Sequence, residues 1–249
     1  MQNKIALNSK KTEIIIFQKP GFKLNWDWNV RLNGYKLHLS DQIKYLGIFL
    51  DRFLNCHYQS NLLMQKLARA IGMLSKVRYY VQDIELKNIY HAIFESHIRY
   101  GCMIWFQSNS EFIKDKIHKL QKKALRMMSF SELHESSSPL FKKWKILKIE
   151  DIVEIQNCVF VHSFLKGKLP KSFENFFLRC SDVHTNPTRF SNAESLYMPH
   201  FKSVTYGMNS ITNICINSWN NITEILEKPS TLSISELKKK MFELCIAKY

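Results

Sequence analysis

Residues 109–128 read NSEFIKDKIHKLQKKALRMM, and the periodicity of this stretch sets the architecture. At 100° per residue, Ile113, Ile117, Leu120 and Ala124 fall within one narrow arc, so the spacing predicts an amphipathic helix with that arc turned to a core. Lys116, Lys119, Lys122, Lys123 and Arg126 fall within a second arc of roughly 120°, which reads as purely cationic, with no interleaved acid. One face packs, and the other meets either solvent or a polyanion.

Working outward, neighbours of the same period lie on both sides. Upstream, Leu63, Leu67, Ala70, Ile71, Leu74 and Val77 predict a helix over 58–78. Leu86, Ile89, Tyr90, Ile93 and Phe94 predict another over 83–99, with Asp83 as its N-cap, and YGCMIW (100–105) is an apolar connector. Downstream, Ser-Ser-Ser-Pro (136–139) breaks the pattern. A helix is expected over about 149–166, and LPKSFENFF (169–177) reads as a turn and an apolar anchor. The tail from Cys180 is rich in Ser, Thr and Asn, with strand-like pieces such as SLYM (195–198), and closes on a capping-box pattern at Ser233–Glu236.

Residues 1–52 switch to a period of two. EIIIF (13–17) has the length of a strand, WNVRL (28–32) and YKLHL (35–39) flank Asn33-Gly34 as a hairpin, and IKYLGIFLD (43–51) is expected to be one further strand in which Gly47 marks a bulge or a close backbone approach. The expected fold is therefore α+β: a small β-rich piece over 1–52, a helical domain over 53–179 and a mixed extension over 180–249.

Composition narrows the partners. Among 249 residues, 36 Lys and Arg stand against 21 Asp and Glu, a formal charge of +15, of which residues 53–150 hold +8. Lysines and arginines that neutralise phosphates release condensed counterions, so nucleic acid is the first partner to consider and an anionic membrane surface the second. Apolar residues at 45% are enough for a core and exclude wholesale disorder. No apolar run reaches the ~18 residues of a membrane span, and the first residues lack the apolar stretch of a signal peptide. The expectation is an intracellular chain, nuclear or cytoplasmic, with reduced cysteines. Cys180 and His184 supply two zinc ligands without a matching pair, so no metal site is expected.

The catalytic inventory is thin. No phosphate-cradling glycine loop, nucleophile elbow or His-Glu-x-x-His motif is present, and the seven aspartates are scattered without an Asp-Asp pair. A metal-dependent nuclease would need a carboxylate cluster around Asp41, Asp51 or another acid.

Ordered segments along nearly the whole chain carry a resemblance. LNSKKTEIIIF (7–17), a hairpin, IKYLGIFLD (43–51), KLARAIGMLSKVR (66–78), LKNIYHAIFESHIRYGCMIW (86–105), LQKKALRMM (120–128), HESSSPLF (134–141) and ILKIEDI (146–152) resemble the region downstream of the catalytic Asp-Asp box in reverse transcriptases of non-LTR (LINE-type, Jockey-like) retrotransposons. In the tail, HTNPTRFSNAESLYMPHFK (184–202), YGMNSI (206–211) and SWN (218–220) continue it. Asn221-Ile222 and Lys202-Ser203 depart from the family's usual Leu-Pro and Arg-Thr.

The resemblance implies roles. Lys11, with Lys10 as a substitute, matches the motif D lysine near the phosphates of the incoming nucleotide, where a lysine can protonate the leaving pyrophosphate; a solvated turn lysine is the plain alternative. Tyr45, Leu46 and Gly47 match the primer grip. The helical domain matches the thumb, which gives Lys116, Lys119, Lys122, Lys123 and Arg126 sequence-independent contacts to a template–primer duplex of RNA or DNA. Trp105, Trp144 and Trp219 are read as core residues in preference to base-stacking platforms. Since the resemblance begins after the catalytic aspartates, it implies a fragment of an RNA-directed DNA polymerase, inactive alone and without a cofactor of its own. Mg²⁺ and a small-molecule substrate belong to an intact parent enzyme. The rival reading is a helical protein-interaction module with no role in nucleic-acid binding.

Overall fold

The computed structural model of the protein describes residues 8, 11–22, 29–132, 134–183, 194–201 and 203–249. The fold is α+β, with small strand pairs near the N-terminus and helices beyond them. Two compact units form, residues 1–62 and 63–249.

Among the described residues of the first unit, six short strands, β1 (Glu13–Ile14), β2 (Arg31–Leu32), β3 (Tyr35–Lys36), β4 (His38–Leu39), β5 (Gln42–Tyr45) and β6 (Ile48–Asp51), make three pairs. β1 runs parallel to β4, so only two residues of EIIIF are strand. β2 and β3 are antiparallel around Asn33 and Gly34, whose φ values of 52° and 81° are the two positive angles of a type I′ turn, as the Asn-Gly pair predicts. The expectation of one strand over 43–51 is corrected. The segment folds back on itself, with Tyr45 opposite Ile48, and Leu46 and Gly47 form the turn at φ 46° and 83°. Gly47 thus supplies a positive φ at a hairpin tip, not a bulge. Beyond β6 the Asp51 carboxylate accepts the backbone N–H groups of Phe53 (3.0 Å), Asn55 (3.2 Å) and Cys56 (2.8 Å), which steers the chain into α1 (His57–Val77).

In the second unit, α1 buries Leu63, Leu67, Ala70, Ile71 and Leu74, the expected stripe. Next, α2 (Asp83–Tyr90) passes through a π-turn at His91–Glu95 into α3 (Ser96–Arg99), making one continuous helical rod. Leu86, Tyr90, Phe94 and Ile98 are its buried ladder, at a strict spacing of four. In an α-helix that spacing drifts roughly 40° per step. A π-turn, bonded i to i+5, holds more residues per turn and absorbs part of the drift. The connector at 100–105 contains a short helix, α4 (Cys102–Trp105), and α5 (Glu111–Ser129) and α6 (Ser138–Trp144) follow.

The centre of the core is α7 (Ile149–Leu165), which packs against α3, α4, α9 (Ile211–Ile225) and α10 (Ile234–Ala247). Its buried residues, from Ile149 and Ile155 to Cys158 and His162, lie on all sides, as expected for a helix surrounded by protein. Phe160 and Phe164 meet Phe173, Phe176 and Phe177, so the segment 169–177 is the apolar anchor its composition suggests. The short helix α8 (Cys180–Val183) precedes residues that lie outside the description, among them His184. Of the strand-like SLYM only a single bridge between Leu196 and Arg179 forms. Instead α9 dominates the tail, with Cys215, Ile216 and Trp219 buried, and α10 begins at Ser233 with the predicted capping box to Glu236. No helix among the described residues is long and apolar enough to cross a membrane.

Candidate nucleic-acid interface

The face in question is that of α5, and its orientation follows from what it buries. Ile117, Gln121, Ala124, Leu125 and Met128 are the buried residues, whereas Ile113 and Leu120 are only half-buried. The inward face is therefore rotated by roughly 60° from the arc expected from aliphatic residues alone. The difference comes from Gln121, a polar residue at 0% exposure. Its amide donates to Leu147 O (2.8 Å) and Tyr90 Oη (3.2 Å), and its carbonyl accepts from Ile149 N (3.1 Å). A buried glutamine with all these partners stitches α5 to α2 and to the start of α7. The rotation places the cationic arc nearly opposite the core.

The five expected cations do lie together on that outer arc, but not unaccompanied. Asp115 falls inside the arc and takes Lys119 at 2.6 Å, which corrects the reading of an acid-free face. Its partner's hydrogen bond and charge hold the Asp115 carboxyl below the usual carboxylate range. Lys116 stands over the ring of Phe112 at 4.2 Å from the centroid, and Phe112 is 68% exposed on the same arc. Lys123 is exposed, without a partner among the described residues, and Lys122 is half-buried at the rim of a cleft. Arg126 donates from Nε and Nη2 to Glu135 O at 2.9 and 2.8 Å, a neutral acceptor, so its charge is not cancelled. Among the described residues Lys119 is paired with a carboxylate and Lys122 faces the acids of the neighbouring cleft, Asp115 among them, whereas Lys116, Lys123 and Arg126 have no carboxylate partner.

Beside this face opens a cleft of about 530 Å³ between α5, α7 and α9, in which Glu111, Asp115, Glu150 and Glu154 face Lys114, Lys122 and His118. His118 Nδ1 lies 2.9 Å from Glu150 Oε1; burial raises the Glu150 carboxyl, and His118 outweighs that and draws it below its ordinary value. Among the described residues no group of three or more His, Cys, Asp and Glu could hold a metal ion. Asp41 is ion-paired with Arg52 at 2.8 Å and Asp51 is occupied by backbone N–H groups, so neither seeds the carboxylate cluster that Mg²⁺ chemistry requires.

The remaining expected positions lie in the first unit. Tyr45, Leu46 and Gly47 sit together at the β5–β6 tip, where Tyr45 and Leu46 are exposed large side chains. Lys11 is exposed in a single turn in which its N–H donates to Asn8 O (3.1 Å); Lys10 lies outside the described residues. The tryptophans are core residues: Trp105, Trp144 and Trp219 are buried, with indole N–H groups on Tyr100 O, Ser129 Oγ and Glu194 O.

Two groups escaped the sequence reading. Glu95, in the π-turn, is buried between His91 Nδ1 (2.8 Å) and Arg99 Nε (2.5 Å), a triad signalled only by four-residue spacing. Burial pushes the Glu95 carboxyl up, and the two partners outweigh it and hold it below the usual range. Arg78, Tyr79 and Phe130 meet at the far end of α5, a contact across 51 residues that no local pattern announces. Comparison with protein-family models, curated proteins and solved structures finds no match to this chain.

Proposed function

We propose that the chain binds template–primer nucleic acid through the phosphate backbone, in the manner of the thumb of a LINE-type reverse transcriptase, with α5 as the contact surface. The observation that carries this reading is the outer face of α5, where five cations share one arc with a single acid, Asp115, and Lys116, Lys123 and Arg126 have no carboxylate partner among the described residues. Side chains so placed contact phosphates without reading sequence. The exposed Leu46–Gly47 hairpin tip is compatible with a primer grip, since a glycine at φ 83° leaves the backbone open to close approach. Lys11 has, on this reading, an auxiliary role as a proton donor inside an intact polymerase. On this reading the Asp-Asp pair and Mg²⁺ that polymerisation needs belong to the intact parent enzyme.

The test is a salt titration of duplex binding with the Lys116→Gln, Lys122→Gln, Lys123→Gln triple variant. Each phosphate contact contributes about 0.9 to the slope of log K against log salt for a DNA duplex, so loss of three should flatten it by about 2–3. Arg126 is left in place because it also holds the Glu135 carbonyl. An unchanged slope would sink the reading.

A further inference from the structure

Where the cationic face of α5 ends, three aromatic side chains stand in solvent: Tyr79 at 64%, Tyr80 at 88% and Phe130 at 58% exposure. Two of them are held from one side. The Arg78 guanidinium lies 4.1 Å from the Phe130 ring centre and 4.8 Å from that of Tyr79, while the two rings meet edge-to-face at 5.3 Å. Arg78 is itself fixed, donating from Nη1 to Met127 O (2.5 Å) and from Nη2 to Tyr79 Oη (2.8 Å). Cation–π contact and hydrogen bonds thus pin the rings in place with much of their surface still wet.

The backbone makes Phe130 more unusual. It closes α5 at φ 54°, a left-handed position at which glycine is the ordinary residue and a bulky side chain is disfavoured. A ring kept there while more than half exposed is not explained by burial. Its placement points to a partner. Phe130 follows Phe112 by 18 residues, about five turns, so it lies in line with the cationic arc. Arg126 is about one turn below it and Lys123 about two, while Lys76 adjoins Arg78; the nearest acids along the chain are Asp83 and Glu132.

We propose that Tyr79, Tyr80 and Phe130 form a stacking platform for unpaired nucleobases, which receives a single-stranded extension where the duplex-binding face of α5 ends. The proposal rests on the reading of that face as a phosphate-binding surface. Rings offer π-faces to any base while adjacent cations follow the backbone, the combination by which proteins hold single strands without sequence preference. In the segments that carry the rings, Lys76, Arg78, Lys123 and Arg126 outnumber Asp83, Glu132 and Glu135, which favours a polyanion over an apolar protein partner as the occupant.

The experiment compares the affinity of the full chain for a blunt duplex, the same duplex with a short single-stranded extension, and the single strand alone. The variants are Phe130→Gly, which removes the ring while relieving its backbone, and Phe130→Gly with Tyr80→Ala, each checked for native circular dichroism. The extension is expected to tighten binding about tenfold, and the double variant to lose that gain while its affinity for the blunt duplex is unchanged. No gain from the extension, or a gain that survives in the double variant, overturns the proposal. If the single strand binds and the variants abolish it while the blunt duplex never binds, the platform stands and the α5 duplex reading fails. If neither nucleic acid binds, both fall. If the variants abolish self-association in the ultracentrifuge but leave oligonucleotide binding intact, the patch docks protein and the proposal is wrong.

Discussion

Glu95 concentrates the electrostatics of the helical unit in one side chain. It is buried, and its folded carboxyl titrates below the ordinary value because His91 and Arg99 outweigh the desolvation. A depressed carboxyl contributes stability that is present above the unfolded-state pKa, about 4.3, and is lost as pH falls through the folded value. Glu95→Gln is therefore expected to cost about 1–3 kcal/mol at neutral pH. In urea titrations, the difference between wild type and variant should shrink as pH is lowered below about 4.3; a difference constant with pH would show that the ion pairs contribute nothing. Residues of this kind are the least legible in a sequence. Glu95 and Gln121 are polar side chains at positions where periodicity asks for apolar ones; Gln121 is tolerated inside because partners distant along the chain satisfy it, and Glu95 because His91 and Arg99, one turn to either side, pair with it. Phe130 is hidden for a different reason: aromatic residues seldom adopt left-handed backbone, and nothing local announces that one does.

Elements were far easier to read, where their signal was local. The helices expected over 58–78, 83–99, 109–128 and 149–166 form within a residue or two, because three- and four-residue spacing survives any detail of packing. The Asn33-Gly34 hairpin was legible because both residues accept positive φ. Leu46-Gly47 carries half of that signal: leucine masks the turn, so 43–51 resembles one strand, although its apolar residues belong to two. α9 was obscured by Asn213, Asn217, Asn220 and Asn221, which lower helix propensity. Tertiary contact overrides them, since Trp219 is buried and Asn220 bonds both the N–H and the carbonyl of Leu196. The same physics predicts what holds the β5–β6 tip. Gly47→Val puts a β-branched residue at φ 83° and should weaken the hairpin by about 1–2 kcal/mol. Faster hydrogen exchange at the Tyr45 and Ile48 amides is the expected signature, and unchanged exchange would mean that the turn does not set the register.

For the whole molecule, the formal +15 is unevenly placed: five of its cations share the outer face of α5, the face proposed above to meet a polyanion. The core has an equally uneven distribution, because α7 is enclosed by helices that come both before and after it in the chain. A chain ending at residue 210 would keep α3 and α4 but lack α9 and α10, leaving Asn157, Cys158 and His162 without the later residues that they bond, Ser218 and Leu232. Such a truncation is expected to bind a hydrophobic dye strongly and to sediment as aggregate; a monomeric, dye-silent product would show α7 to be self-sufficient. Synthesis adds a clock to this geometry. Roughly 45 residues separate the end of α7 from the start of α9, so at ordinary translation rates of about 5–20 residues per second the apolar central helix waits some 2–9 seconds for its cover. During that interval the nascent chain is most exposed to chaperones and to its own kind.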